Sequence, residues 1–288
     1  MTILVTGATG QIGAAILDRL HGVEIRALTR DPARLSGRDG IVAVQGDLTD
    51  PVSVEAALQG VDTLFLLTTV SPEEASQAMM AVNLAKAAGV RGIVYLSVSH
   101  ADRYVDTPHY ASKHLVERMI AAAALPATVL RANYFMQNDL TAKDALLQGV
   151  FPQPIGEVGL AMVDIRDIAD AAVAEILRRH RADAPLPATR IEVCGPEVLT
   201  AADVAAIWTD ALGHQVSPGP ADLCAFEAGL RERMPAWRAH DLARMFGGFQ
   251  REGMVPAPQV ASTMEAVIGH PLRRYRDFAQ EAVASWRA

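Results

Sequence analysis

Residues 6–13, Thr6-Gly7-Ala8-Thr9-Gly10-Gln11-Ile12-Gly13, stand between a short apolar run, Ile3-Leu4-Val5, and a segment with Ile12, Ala15, Ile16 and Leu20 at helical spacing. A strand that ends in glycines and leads directly into a helix is the setting in which a glycine fingerprint carries chemical meaning. Glycine permits the tight turn and lets backbone N–H groups approach a pyrophosphate, while the start of the following helix adds partial positive charge. The last glycine, Gly13, allows helix and strand to pack closely. Thr6, Gly7, Thr9, Gly10, Gln11, Ile12 and Gly13 are therefore assigned to the binding of a dinucleotide.

Outward from this turn, strand and helix patterns alternate over the first 130 residues. Glu24 to Thr29, Ile41 to Val44, Thr63 to Thr68 and Gly92 to Val98 each read as a buried strand. Between them, Asp50-Pro51 and Ser71-Pro72 each set a capping side chain before a proline at the first helical position. Alternation of this kind implies right-handed crossovers and a parallel sheet covered on both faces. The expected fold class is α/β, a doubly wound parallel sheet of the Rossmann type with a smaller, mostly helical C-terminal lobe. Residues 1–150 form the nucleotide-binding part. Residues 151–288 form a mixed region that returns to the sheet over about 160–195 and then builds the lobe. In that region Thr128 to Arg131 and Ile191 to Cys194 read as strands, Gly149 to Gly159 as loop, and Thr200 to Asp203 as a capping box.

Composition narrows the partners. The chain has 288 residues, half of them apolar, with 26 Lys plus Arg against 33 Asp plus Glu and a formal charge of −7. An acidic chain with 5% aromatic residues lacks the basic groove and stacking rings of a nucleic-acid platform. No uncharged apolar run approaches the ~20 residues of a membrane span, and the N-terminus opens on a strand with no signal-type segment. A cytoplasmic protein with no membrane and no nucleic-acid partner is expected. Cys194 and Cys224 form no metal spacing, and His100 and His109 flank one loop without further ligands, so no metal is assigned.

The glycines are spaced GxxGxxG, which resembles the short-chain dehydrogenase superfamily in its extended and atypical branches. At the end of the second strand, where an NAD-specific site would carry an acidic residue, the chain has Thr29-Arg30. A guanidinium forks onto a phosphate, so NADP(H) is preferred, with NAD(H) as the alternative cofactor; a solvated arginine beside Asp31 is the other reading of Arg30. The superfamily implies that Asp47 and Leu48 lie against adenine and that Thr68 and Thr69 lie near the path of the cofactor's ribose. Further stretches carry a narrower resemblance: Leu28 to Pro32, Ala87 to Val90, Tyr95 to Ser97, His109 to Lys113, Leu130 to Asn138 and Ile268 to Pro271. Through them the chain is similar, almost from end to end, to the NmrA-like atypical short-chain dehydrogenases, particularly bacterial members of the NAD(P)H:quinone reductase and azoreductase type.

That resemblance implies that Lys113 binds the nicotinamide ribose and places Ser97 close to the nicotinamide. The usual Tyr-x-x-x-Lys pair is here Tyr110 and Lys113, one residue short, with His114 in the fourth position. A three-residue step still shares a helix face, so Tyr110 and Lys113 are the catalytic candidates, with Tyr110 alternatively packed at the helix start. Ser99 at a strand end lies at the substrate or, like Ser97, simply caps the strand end, and Tyr134, Phe135, Met136 and Asn138 after the sixth strand line an aromatic-acceptor pocket or, in the plainer reading, the core. Quinones and azo compounds give stabilised anions on taking a hydride, so they need less acid catalysis than a ketone. The expected activity is NADPH-dependent hydride transfer to such a small aromatic acceptor. The alternative is a non-catalytic NADP(H) sensor acting through a protein partner, and a homodimer is left open.

Overall fold

Short apolar runs rich in Val, Ile and Leu, each flanked by turn residues, form the strands, because such side chains suit a sheet covered on both faces. A computed structural model describes residues 1–287. It contains β1 (Thr2–Val5), α1 (Gln11–Leu17), β2 (Glu24–Thr29), β3 (Ile41–Gln45), α2 (Pro51–Leu58), β4 (Val61–Leu66), α3 (Glu74–Ala87), β5 (Gly92–Val98), α4 (Pro108–Ala122) and β6 (Ala127–Ala132). After these come α5 (Lys143–Leu147), β7 (Val150–Phe151), α6 (Ile165–His180), β8 (Thr189–Val193), α7 (Ala201–Leu212) and β9 (Ser217–Pro218). The chain ends with α8 (Leu223–Arg231), α9 (Ala236–Glu252), α10 (Val260–Ile268) and α11 (Tyr275–Arg287).

Seven strands make one sheet in the order β3-β2-β1-β4-β5-β6-β8. The pairs β1–β2, β1–β4, β2–β3 and β4–β5 are parallel. The order reverses between β1 and β4, the switch point where a doubly wound sheet leaves a crevice beyond its carboxyl ends. The expected doubly wound class is thus what forms. On one face, Leu58, Leu64, Leu66, Val82, Ala85, Tyr95, Val116 and Ile120 pack into a single apolar cluster.

The chain divides into two compact units: Met1–Ala101 with Ser112–Arg131 and Ile168–Ile191, and Asp102–Ala111 with Ala132–Asp167 and Glu192–Ala288. The units interleave along the sequence; the sequence reading places a boundary near residue 150, with a return to the sheet over about 160–195. The first, which holds most of the sheet, is called the sheet unit below, and the second the helical unit.

Local signals behave unevenly. The Asp50 carboxylate caps α2, accepting from the N–H groups of Val52 and Ser53. Thr200 and Asp203 close a capping box on α7. Ser71-Pro72 does not start a helix: α3 begins at Glu74, and the Ser71 hydroxyl is buried without a partner. The Gly149 to Gly159 loop contains β7, which pairs in parallel with β9. No helix among the described residues is long and apolar enough to cross a membrane.

Candidate functional site

The carboxyl ends of β1, β2, β4 and β5 present the sheet unit's candidate residues. The turn after β1 holds its shape through glycine at two positions. Gly7 has φ +64°, a left-handed backbone that suits glycine. At Gly13 a Cβ would come within 2.2 Å of the Gly7 carbonyl oxygen, so helix and turn approach more closely than any side chain allows. Gly10 differs. A Cβ there would meet nothing nearer than 3.4 Å, and the residue is exposed, so packing within the protein does not demand glycine. Its bare backbone is an open surface suited to a ligand that must approach closely. Thr6, by contrast, is buried and uses its hydroxyl to stitch β1 to the end of β4, donating to Leu67 O at 2.9 Å and accepting from Leu67 N–H at 2.8 Å. Ile12 is core, Gln11 is exposed and Thr9 is half-buried.

Beyond β2 and β3 lies an open cleft of about 520 Å³ lined by Arg30, Gln45, Gly46, Asp47, Asp50 and Ser53. Its carboxylates face local donors. Asp47 accepts from Thr49 N–H and Thr49 Oγ1, both at 2.8 Å, which together with the charge of Arg30 holds it below the usual carboxylate range. Asp50 caps α2. Arg30 makes no hydrogen bond or ion pair among the described residues and is exposed, so its fork of donors is available to an anion. Leu48 is half-buried beside Asp47, and Gln45 is a lining residue that the sequence reading did not single out.

Lys113 lies in a buried polar cluster. Its ammonium is 2.9 Å from Glu74 Oε1 and 3.3 Å from Leu96 O, and 5.6 Å from the centroid of the Tyr95 ring. Thr68 donates its hydroxyl to the same Glu74 oxygen at 3.0 Å, while Thr69 is exposed. Glu74 Oε2 and the Tyr95 hydroxyl are buried there without partners. A second buried pair stands alongside. Glu117 accepts from Arg131 through Nε and Nη2, the latter at 2.6 Å, and from the Ser97 hydroxyl at 2.5 Å. Ser97 therefore supports an ion pair, and at 3% exposure it does not present its hydroxyl to an open surface. Ser99 donates to Arg131 O at 2.9 Å and is equally buried. Neither Glu74 nor Glu117 stood out in the sequence, because a glutamate in a helix reads as solvated until its neighbours are known.

The helical unit corrects the expectation for Tyr110. That residue is fully buried, with its ring centroid 5.2 Å from that of Tyr104, and its hydroxyl donates to Met254 Sδ at 3.5 Å. Burial pushes its pKa well above the ordinary tyrosine value, with smaller contributions from Tyr104 and Asp241. A phenol so placed is not poised to give up a proton, and Tyr110 is here a packing residue. Tyr134 likewise makes edge contacts with Phe246 and Phe249, and Met136 is 1% exposed. Phe135 and Asn138 are half-buried. Tyr134 and Met136 thus take the plainer of their two readings.

A doubly wound sheet with a glycine turn, an open cleft at the second strand and an unpaired arginine over it defines a nucleotide-binding α/β protein. The sequence profile of the NmrA-like family matches residues 1–280. The chain belongs to that family. It is 30% identical to an NAD(P)H azoreductase of Xenophilus azovorans, covering 99% of both chains. It is 31% identical to quinone oxidoreductase 2 of Escherichia coli K12, over 93% of this chain and 94% of that one. A crystal structure of the NADPH-dependent quinone oxidoreductase of Escherichia coli complexed with NADPH superposes with a TM-score of 0.85 at 30% identity, covering 99% of this chain and 100% of the other.

Proposed function

We propose that this protein is an NAD(P)H-dependent reductase that prefers NADPH and reduces a quinone-like or azo acceptor. The observation that carries the cofactor reading is the cleft beside Arg30, where the guanidinium is the one cation of the lining and offers unused donors while the carboxylates are tied to local hydrogen bonds. A terminal phosphate on the adenosine ribose would take that guanidinium, and the bare backbone at Gly10 would take the pyrophosphate. Asp47, Leu48 and Gln45 would flank adenine, and Thr69 with Lys113 would hold the nicotinamide ribose. When bound, the cofactor supplies a hydride.

The reductase reading is supported by the named relatives and by the position of Tyr110. With that phenol buried on a thioether, the site suits acceptors whose reduced anion is already stabilised by conjugation. Placement and exclusion of water then supply most of the rate. The test is oxidation of NADPH, followed by its absorbance, against a panel of quinones and azo dyes, with Lys113→Met as the control. We expect saturable turnover in the natural protein and a rise in KM for NADPH of at least about tenfold in the variant, as one lost charge-assisted contact implies. Tight NADPH binding with no turnover across the panel would instead favour a sensor.

A further inference from the structure

Within the sheet unit, Glu74 occupies the place from which Lys113 can be aimed. An ammonium has three donors in a fixed tetrahedral arrangement. In Lys113 one donor meets Glu74 Oε1 at 2.9 Å and another meets Leu96 O at 3.3 Å. The Tyr95 ring centroid, at 5.6 Å, is within reach of the charge but not of a hydrogen bond. With two directions taken the third is set, and that donor has no partner among the described residues. Lys113 keeps 8% exposure and Glu74 only 1%, so of the two it is the ammonium that can meet a ligand.

The carboxylate is itself fixed. Thr68, also buried, donates its hydroxyl to the same Oε1 at 3.0 Å, while Oε2 has no partner among the described residues. Both donors therefore converge on one oxygen, and the place of that oxygen decides where Nζ stands. The cluster adjoins the glycine turn. Leu67, the neighbour of Thr68, exchanges two hydrogen bonds with the Thr6 hydroxyl, and a Cβ on Gly7 would lie 3.0 Å from Leu67 Cδ2. Leu96 lies near the carboxyl end of β5. Glu74, Thr68 and Lys113 thus share a sheet edge with the turn, and all belong to the sheet unit.

We propose that Glu74 is the positioning residue of Lys113, an inference that rests on the cofactor reading above. The reach of the Glu74 side chain, more than its charge, sets the free Lys113 donor where a hydroxyl of the nicotinamide ribose accepts it. Thr68 supports the arrangement by holding Oε1. A buried ion pair is a weak stabilising device, because apolar residues of similar volume often do as well or better. Aiming a donor at a ligand is a task that an apolar pair cannot perform.

Two ligands and two conservative variants separate aim from charge. NADPH carries the nicotinamide ribose, whereas adenosine 2′,5′-bisphosphate lacks it and keeps the adenine and the 2′-phosphate. Binding to the full chain is read by calorimetric titration, so no acceptor is needed. Glu74→Gln keeps the reach and an oxygen for both donors. Glu74→Asp keeps the charge and draws the oxygen back by one methylene. Glu74→Asp is expected to weaken NADPH about tenfold or more, and Glu74→Gln less than about threefold, as the loss or retention of one charge-assisted contact implies. The bisphosphate should bind both variants as it binds the natural protein. Added to Lys113→Met, Glu74→Asp should cost nothing further, since both substitutions remove one contact. A larger loss in Glu74→Gln than in Glu74→Asp would make Glu74 a counter-charge and overturn the proposal. Weakened bisphosphate binding, or losses that add in the double variant, would overturn it as well. If Lys113→Met weakens NADPH and Glu74→Asp does not, the proposal alone fails. If Lys113→Met leaves NADPH binding unchanged, the cofactor reading fails at Lys113 and the role of Glu74 falls with it.

Discussion

In the sheet unit, buried charge is balanced by pairing: Glu117 lies 2.6 Å from Arg131 and Glu74 lies 2.9 Å from Lys113, all four residues at most 8% exposed. In the helical unit, Asp139 is fully buried with a single partner among the described residues, the Tyr275 hydroxyl at 2.5 Å, which in turn accepts from Trp208 Nε1 at 2.9 Å. Burial pushes Asp139 up to about 7, the Tyr275 bond offsetting part of the rise. Two solutions to one problem are visible. A carboxylate can be taken out of water beside a guanidinium or ammonium, or it can keep its proton. The first makes a site that depends on both partners, and the second a site that depends on pH.

Breaking one partner of a pair gives the largest expected effect. Glu117→Leu leaves Arg131 buried with Ser97 and without its carboxylate, and should cost about 3–5 kcal/mol in urea unfolding. Adding Arg131→Met should recover most of that loss. A recovery of less than about 1 kcal/mol would mean that packing, not pairing, holds this part of the sheet unit.

The counterpart in the helical unit is Asp139→Asn. The folded pKa of Asp139 is raised, so below about 4 both states carry the proton and no linkage acts. Between about 4 and 7 the unfolded chain has lost the proton and the folded one keeps it, so this group's contribution to stability falls as pH rises and levels off above about 7. The full span corresponds to about 4 kcal/mol. Asn cannot ionise, so the variant's stability should lack that slope. Retention of the slope would assign the pH dependence to another group.

The two smaller tests stay in the sheet unit and ask whether its open face is built for a ligand or for packing. Gly13→Ala forces a Cβ against the Gly7 carbonyl. It should cost about 3 kcal/mol, the upper part of the range for overpacking, because backbone cannot give way as a side chain does. Arg30→Ala should change stability by less than about 0.5 kcal/mol, as expected for a surface residue without partners. It should nonetheless weaken NADPH about tenfold or more in titration, since a charge-assisted bidentate contact is lost, and leave NADH unchanged. Equal losses for both cofactors would remove the phosphate assignment from Arg30.

Much of the sheet unit was legible because its signals are local. The run Ile3-Leu4-Val5 before Gly7, and Asp50 before Pro51, state their roles within a few residues, through chain conformation and capping. Ser71-Pro72 carries the same signal and fails, since the Ser71 hydroxyl is drawn inside and α3 starts later, at Glu74. Local preference is worth about 1 kcal/mol, and packing overrides it. The aromatic segment after β6 was open between pocket and core for a related reason. Tyr134 next to Phe135 reads alike in both, and the difference lies in Phe246 and Phe249, more than a hundred residues away.

The sequence by itself determined the doubly wound class, the glycine turn, the place of Arg30 at the end of β2 and the family resemblance. Each rests on backbone geometry or on periodicity that neighbouring residues impose. Tertiary structure alone decided which polar side chains are free. It set Glu74 against Lys113 and Glu117 against Arg131, withdrew Tyr110 to Met254, and brought Asp241 to His109 from 132 residues away. Proton affinity and ion pairing depend on distances of a few ångströms between side chains and on exclusion of water, and both are set only when distant segments close on one another.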